Sequence, residues 1–204
     1  MRWQTKKVFF NNYVFHVWPE VYEPAEDSFL FAENLNMKNG ENVLDMGTGC
    51  GILGIVAADK ASRVVAVDIN PYAVLCAKRN AKLNNVAEKM CFIQGDLFTP
   101  IKNDERFDLI LFNAPYLPSE PCECETWLGR AWAGGADGRT IIDRFICEFP
   151  RYLKTSGHAL LMQSTLADVD KTLEFLHEKG LKATVIAECN LPLFETLTLI
   201  QIRL

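Results

Sequence analysis

Residues 107–118 of the sequence, FDLILFNAPYLP, break a bulky apolar run with an asparagine, a proline and a tyrosine. Residues 108–112 read as a buried strand of a parallel sheet, which puts Asn113 at its carboxyl end. Open α/β sheets bind ligands at that edge, so Asn113, Ala114, Pro115 and Tyr116 are candidate site residues. The chemistry such a set offers is positioning. An amide or conjugated amino nitrogen is a poor nucleophile because its lone pair is delocalised. Two acceptors fixed at one strand end, the Asn113 side-chain oxygen and the Ala114 carbonyl, can hold its planar NH2 in one orientation. The Tyr116 ring can lie against that flat group or beside a cation, an interaction of about 1 kcal/mol. No His stands in the motif, so no tuned general base is implied.

A second constellation is VLDMGTGCGILG at 43–54, which begins as a strand and leads into a helix. Gly47, Gly49 and Gly51 let the backbone turn sharply and approach a ligand closely, although G-x-G-x-G alone is a weak signal. Asp45, just ahead of the glycines, would repel a pyrophosphate but attract the ammonium of an amino-acid-bearing cofactor. Asp68 closes VVAVD, where its carboxylate is placed for ribose hydroxyls. In QGDLF, Asp96 can take an adenine amino group while Leu97 packs on the ring. The loop lacks the Lys-Ser/Thr of a P-loop, which argues against ATP. Any one of these acids alone reads as a cap or a solvated loop residue; three at successive strand ends read as a site.

Alternating strands and helices must position these residues. Strand-like runs lie near 43–47, 64–68, 90–94, 107–112, 157–163, 182–188 and 196–202, with helical stretches between most of them. EPAEDSFLFAENL (23–35) sets Pro24, Glu26 and Asp27 ahead of an apolar stripe at Phe29, Ala32 and Leu35, and NPYAVLCAKRNAKLN (70–84) opens with Asn70 as N-cap and Pro71 at the first helical position. Strand then helix, repeated, predicts a doubly wound parallel sheet. The last two strands are joined only by CNLPLFE (189–195), too short for a crossover helix, so the sheet ends in an antiparallel hairpin. VFFNNYVFHVW (8–18) predicts a small hairpin turning at Asn11 and Asn12. With neither repeats nor a low-complexity linker, residues 1–204 read as one domain, with 1–20 as a hairpin extension.

The net charge of −5 and pI near 5.3, with no Lys/Arg cluster, argue against nucleic acid as a direct substrate. No apolar run approaches the ~18 residues of a membrane span. The basic start MRWQTKK is not followed by a smooth apolar core, so no export signal is expected. Seven scattered cysteines, an odd number, suit the reduced thiols of a cytoplasmic protein. Cys122 and Cys124 lack a second pair or a nearby His and read as loop thiols, not zinc ligands.

VYEPAEDSFL (21–30), VLDMGTGCG (43–51), VDINPYA (67–73), GDLF (95–98), NAPYLP (113–118), AWAGGADGRTIIDRF (131–145) and ETLTLI (195–200) together resemble the class I S-adenosylmethionine-dependent methyltransferases. Within them the chain is similar to the HemK-like protein-glutamine N5-methyltransferases of the archaeal and eukaryotic release-factor branch. The glycine loop alone implies only a methyltransferase; YEPAEDS and AWAGGADGR are more specific.

The resemblance implies a Rossmann-like fold with a seven-stranded, mostly parallel sheet and an antiparallel C-terminal hairpin. It implies S-adenosyl-L-methionine as cofactor, contacted by Ser28, Asp45, Gly47, Gly49, Gly51, Asp68, Ile69, Asp96, Leu97 and Asn113. The implied substrate is the glutamine of a Gly-Gly-Gln motif in a class I translation release factor, held by Asn113, Ala114, Pro115, Tyr116 and Leu117, of which the first four are the catalytic set. The family pattern has Pro where this chain has Ala114. Ala keeps the carbonyl, and Pro115 keeps residue 114 extended, so activity is expected to survive an entropic loss of about 0.4–1 kcal/mol.

The resemblance further implies a small zinc-binding activator subunit that adds a strand at the sheet edge formed by residues 90–94. Trp127, Trp132 and Arg139 are expected to shape a substrate loop. Two other readings stay open: an adenine-N6 methyltransferase acting on nucleic acid, and a non-catalytic cofactor-binding subunit in which Ala114 marks decay.

Overall fold

In the computed structural model, which describes residues 5–204, β1 (Lys6–Phe10) and β2 (Tyr13–Val17) pair antiparallel. The first part of the expected amino-terminal extension, residues 1–4, lies outside the described residues. The turn of this hairpin places Asn11 at φ +51°, a conformation Asn tolerates better than bulkier residues. The remaining elements are α1 (Glu26–Glu33), β3 (Asn42–Met46), α2 (Ile52–Ala58), β4 (Arg63–Asp68), α3 (Pro71–Leu83), β5 (Met90–Gln94), β6 (Phe107–Asn113), α4 (Trp127–Arg130), α5 (Thr140–Glu148), β7 (Leu153–Ser164), α6 (Val169–Glu178), β8 (Lys182–Asn190) and β9 (Thr196–Arg203).

Strands β3 to β9 form one seven-stranded sheet in the order β5-β4-β3-β6-β7-β9-β8. Pairing is parallel from β5 through β7, and β9 runs antiparallel to both β7 and β8. The central strands NVLDM, RVVAVD and FDLILFN are covered on both faces, so they read as continuous apolar runs; Val43, Leu44, Val64, Leu109 and Ile110 are wholly buried. An aromatic stack beneath β6 links Phe112 to Phe145 and Phe98 to Tyr152, each pair with centroids 4.7 Å apart.

The hairpin attaches through an unusual joint. Asn80 and Asn84, one turn apart on α3, each bond a β2 residue at both its N–H and its C=O. Asn80 Oδ1 accepts from His16 N at 2.9 Å and Asn84 Oδ1 from Val14 N at 3.0 Å, while their Nδ2 groups donate back to the His16 and Val14 carbonyls. Two helical amides thus satisfy the outer edge of β2 as a neighbouring strand would. Asn80 Nδ2 also reaches the carbonyl of Cys50, within the glycine loop, at 2.8 Å.

Asn70 caps α3 as the sequence predicts, accepting from Tyr72 N at 2.9 Å with Pro71 in the first turn. The phase of α1 differs from the expectation. Its buried residues are Asp27, Ser28, Phe31 and Ala32; Phe29 is only partly buried and Leu35 lies past the helix end. The apolar stripe is displaced because the helix turns its polar pair, Asp27 and Ser28, toward the sheet. β7 is longer than the 157–163 expected, since it pairs from Leu153 through an irregularity between Phe107 and Leu109. Among the described residues no helix is long and apolar enough to cross a membrane.

Candidate active site

The carboxyl ends of β3, β4 and β6, with the turn after β5, open into one cavity of about 600 Å3. Of the residues singled out from the sequence, Ser28, Gly47, Gly49, Asp68, Ile69, Asp96, Leu97, Asn113, Ala114, Pro115, Tyr116 and Leu117 line it; Asp45 and Gly51 do not. The glycine loop supplies one wall. Gly47 has φ +66°, and a Cβ there would sit 3.4 Å from the Phe112 ring, so the loop lies directly against the end of β6. Gly51, at φ +92°, begins α2, and a Cβ there would press on Ile55 and Ala77 at 3.0–3.2 Å.

Asp45, expected to face a ligand, does not line the cavity. One oxygen accepts from Thr48 Oγ1 at 2.6 Å and from Gly54 N at 3.0 Å, bracing the loop from below, and the other has no partner among the described residues. The approach is close: a Cβ on Gly54 would lie 2.7 Å from that carboxylate. Burial pushes the Asp45 carboxyl up to about 7 despite these two bonds.

Asp68 stands at the cavity wall. Gly49 N donates to one of its oxygens and Asn70 N to the other, both at 2.9 Å, which aims the carboxylate and leaves lone pairs for a ligand hydroxyl. Burial raises this carboxyl to about 6 against those two bonds. Asp96 pairs with Arg144 on α5 at 2.8 Å at the half-exposed side of the cavity, and Leu97 is buried beside it at φ +45°.

Asn113 is held by a residue that sequence reasoning passed over. Its Nδ2 donates to Asp27 Oδ2 at 2.9 Å and to Ser28 Oγ at 3.4 Å, while its buried Oδ1 has no partner among the described residues. Asp27 is 5% exposed. Its Oδ1 accepts from Ser28 N at 2.6 Å, Ser28 Oγ at 3.2 Å and Tyr22 OH at 3.3 Å, and Tyr116 OH reaches Oδ2 at 3.5 Å. Burial, then the negative charge of Asp27, drive the Tyr22 and Tyr116 hydroxyls far above the ordinary phenol range, so both remain donors. The network fixes which end of the Asn113 amide is spent. The nitrogen is committed to Asp27 and the buried oxygen is left without a donor.

The segment after Asn113 is strapped down by the glycine-rich stretch. Leu117 N donates to Trp132 O at 2.9 Å, Gly134 N to Leu117 O at 2.8 Å and Ser119 N to Gly135 O at 2.9 Å. Gly138, at φ +73°, passes so close that a Cβ would meet the Tyr116 carbonyl at 2.3 Å. Trp127, Arg130 and Trp132 line the mouth, with the Arg130 guanidinium 4.8 Å over the Trp127 ring. Arg139 does not belong to that loop surface as expected. It is 1% exposed, and its guanidinium donates to Ala167 O, Asp168 O, Thr172 Oγ1 and Asp143 Oδ1 at 2.6–2.8 Å, pinning the glycine stretch to the start of α6. Among the described residues no cluster of three or more His, Cys, Asp or Glu could hold a metal ion.

Residues 23–127 match the family model described as "Methyltransferase small domain". A Methanocaldococcus jannaschii protein provisionally named a protein N5-glutamine methyltransferase is 47% identical over 185 residues, covering 90% of this chain and 91% of that one. Methyltransferase HEMK2 of Homo sapiens is 31% identical over 179 residues, covering 81% of each. Among solved structures, the E. cuniculi Mtq2–Trm112 complex, described as responsible for methylation of the eRF1 translation termination factor, matches with TM-score 0.70 at 24% identity, over 90% of this chain and 98% of that chain. The T. thermophilus 16S rRNA N2 G1207 methyltransferase, solved with AdoMet and guanosine, matches with TM-score 0.69 at 20% identity, over 99% of this chain and 51% of that one. The structural likenesses concern the fold.

Proposed function

The chain belongs to the HemK-like protein-glutamine N5-methyltransferases, and from that premise we propose that it uses S-adenosyl-L-methionine to methylate the glutamine of a Gly-Gly-Gln motif in a class I release factor. The observation that carries this reading is the strand end at Asn113, which lines the same cavity as the Asp68 carboxylate and the glycine loop, with its Nδ2 bound by Asp27 and its buried Oδ1 unpaired. An orphaned buried acceptor is costly unless a ligand donates to it, and a primary amide offers two N–H donors. The cofactor fits the other wall. Asp68 takes the ribose hydroxyls, Asp96 and Leu97 the adenine, and Gly47 and Gly49 let the backbone lie close, with Ser28 and Ile69 completing the contacts. Asp45 acts from beneath, by holding the loop.

When bound, the cofactor supplies a methyl group made electrophilic by a sulfonium. The chain's own residues supply orientation. Asn113 Oδ1 and the Ala114 carbonyl accept from the two N–H groups of the substrate amide and aim its nitrogen. Tyr116 packs against the flat amide. Pro115 and the strap through Leu117 limit its movement. The amide proton becomes acidic on attack, so no general base is required. The buried negative charge of Asp27 lies close to this point and favours the cationic cofactor.

In this reading residues 1–204 work as one methyltransferase domain in the cytoplasm. The outer edge of β5 is a strand edge in this chain, with Cys91 exposed and Phe92 partly buried, and a small zinc-binding activator subunit adds a strand there. The test is transfer of labelled methyl to three substrates: an intact archaeal class I release factor, its Gln→Ala variant, and adenine-containing DNA. Label on the first alone, falling about 10²-fold or more in Asn113→Ala with cofactor binding retained, is the expected outcome. Label on DNA, or cofactor binding without transfer to any substrate even when cell extract supplies the activator, would refute the reading.

A further inference from the structure

The connection between β8 and β9 carries two residues that the proposed chemistry does not use. Leu193 and Phe194 are 93% and 103% exposed, while Leu197 and Leu199, just beyond on β9, are buried. Both hold φ +65°, in the left-handed region. That conformation is unfavourable for a branched or bulky residue, and a turn needing only to join two strands is served by Gly, Asn or Asp. Here a strained backbone presents two large apolar side chains to solvent.

The tip also has a meaningful address. β9 begins opposite the end of β7, with Leu197 paired to Ser164, and Thr196 N donates to Thr165 Oγ1 at 3.0 Å, so the connection stands on the same sheet edge as Asn113. Helix α1, which supplies Asp27 and Ser28, packs against both β8 and β9. Glu195, the next residue, is close enough to Tyr22 and Tyr116 to help raise their pKa values. The prong therefore stands on the sheet edge that opens into the cavity, next to the elements that carry Asp27 and Tyr116, without itself lining the cavity. A cavity of about 600 Å3 admits a cofactor and one side chain, so a folded protein offering that side chain must rest outside it, on the sheet edge where these two exposed residues stand.

We propose that Leu193 and Phe194 form an apolar prong that docks the body of the protein substrate, seating in an apolar socket beside the residue to be methylated. The inference rests on the reading of the site as a protein methyltransferase. A substrate no larger than the cavity would leave the prong in water, whereas burial of each side chain against a protein should be worth about tenfold or more in affinity.

The experiment compares the wild-type chain with Leu193→Ser/Phe194→Ser and Leu193→Gly/Phe194→Gly. Substrates are an intact archaeal class I release factor and a short peptide carrying its Gly-Gly-Gln. Both variants should raise KM for the intact factor about 10²-fold or more, with kcat, the peptide KM and calorimetric cofactor affinity little changed. The glycine variant, relieved of strain, should also melt higher, which separates docking from folding. An unchanged KM for the intact factor overturns the prong. So does an equal rise on the peptide, or loss of a dimer without change in KM, which would assign the tip to self-association. Failure of these arms with an active wild type leaves the functional reading standing; a wild type inactive on both substrates, even with cell extract supplying the activator, removes that reading and the prong with it.

Discussion

Replacing Asp27 by Asn changes one atom of the site and should invert another residue. Three donors converge on Asp27 Oδ1, and one of them, Ser28 N at 2.6 Å, is a backbone N–H that cannot become an acceptor. The new amide must therefore keep its oxygen there and place its NH2 where Oδ2 was, 2.9 Å from the Nδ2 of Asn113. Donor then faces donor in a buried site, at a cost of about 1–3 kcal/mol. Rotating the Asn113 amide by half a turn relieves the clash and points its nitrogen into the cavity. That preference corresponds to roughly 5- to 150-fold in population, and the flipped form lacks the acceptor whose loss alone is worth on the order of 10²-fold. Steady-state assays of Asp27→Asn should show kcat reduced about 10- to 100-fold, with cofactor affinity lowered by loss of the carboxylate charge and melting temperature close to wild type because the bond between residues 27 and 113 has been re-formed. Adding Asn113→Asp in that background supplies a carboxylate that accepts from the new NH2 and still offers an oxygen to the substrate, so part of the activity should return. Wild-type kcat in Asp27→Asn, or no recovery in the double variant, would refute the orienting role.

The Asp68 carboxyl, raised by burial to about 6, gives a pH dependence of known sign. Below that value it is protonated and a poorer acceptor for ribose hydroxyls, so calorimetric cofactor affinity should be level above pH ~7 and weaken toward tenfold per unit on the acid side, and Asp68→Asn should flatten the curve. Because the folded pKa lies above the ordinary one, the same group makes the ligand-free fold less stable as pH rises from about 4 to 6, measurable as a melting difference from that variant. Gly138→Ala, whose new Cβ would meet the Tyr116 carbonyl at 2.3 Å from a backbone at φ +73°, should lose about 1–3 kcal/mol of stability and lower kcat by displacing Tyr116; melting and kinetics on the same sample check both, and an unaltered kcat would detach the strap from the chemistry. Ala114→Pro should keep activity within a few-fold, since the N–H it removes makes only a 3.4 Å bond to Met162 O. A large loss would show that the site depends on that N–H.

The parts of the site that sequence makes legible are those whose signal is local. A glycine loop between strand and helix, acids at strand ends and an Asn-x-Pro-Tyr break are each decided within a few residues, and the parallel order follows from alternating runs. Asp27 shows the limit. An acid in the first turn of a helix has a sufficient local explanation in the helix dipole, and nothing near it says that its carboxylate meets an amide 86 residues later. Arg139 was misread for the same reason, since its partners Ala167, Asp168 and Thr172 belong to a later layer. Asp45 was read as ligand-facing from its place before the glycines. Which way a strand-end side chain turns depends on Thr48 and Gly54 offering it donors from below.

The double use of Asn80 ties the beginning of the chain to its chemistry. One wholly buried amide grips both the His16 backbone and the carbonyl of Cys50, so loss of β2 (Tyr13–Val17) is not a peripheral event. It strips the oxygen of that amide of its donor and loosens the anchor of the cofactor loop. Damage to that strand is thereby passed to the glycine loop and to the cavity that the loop walls.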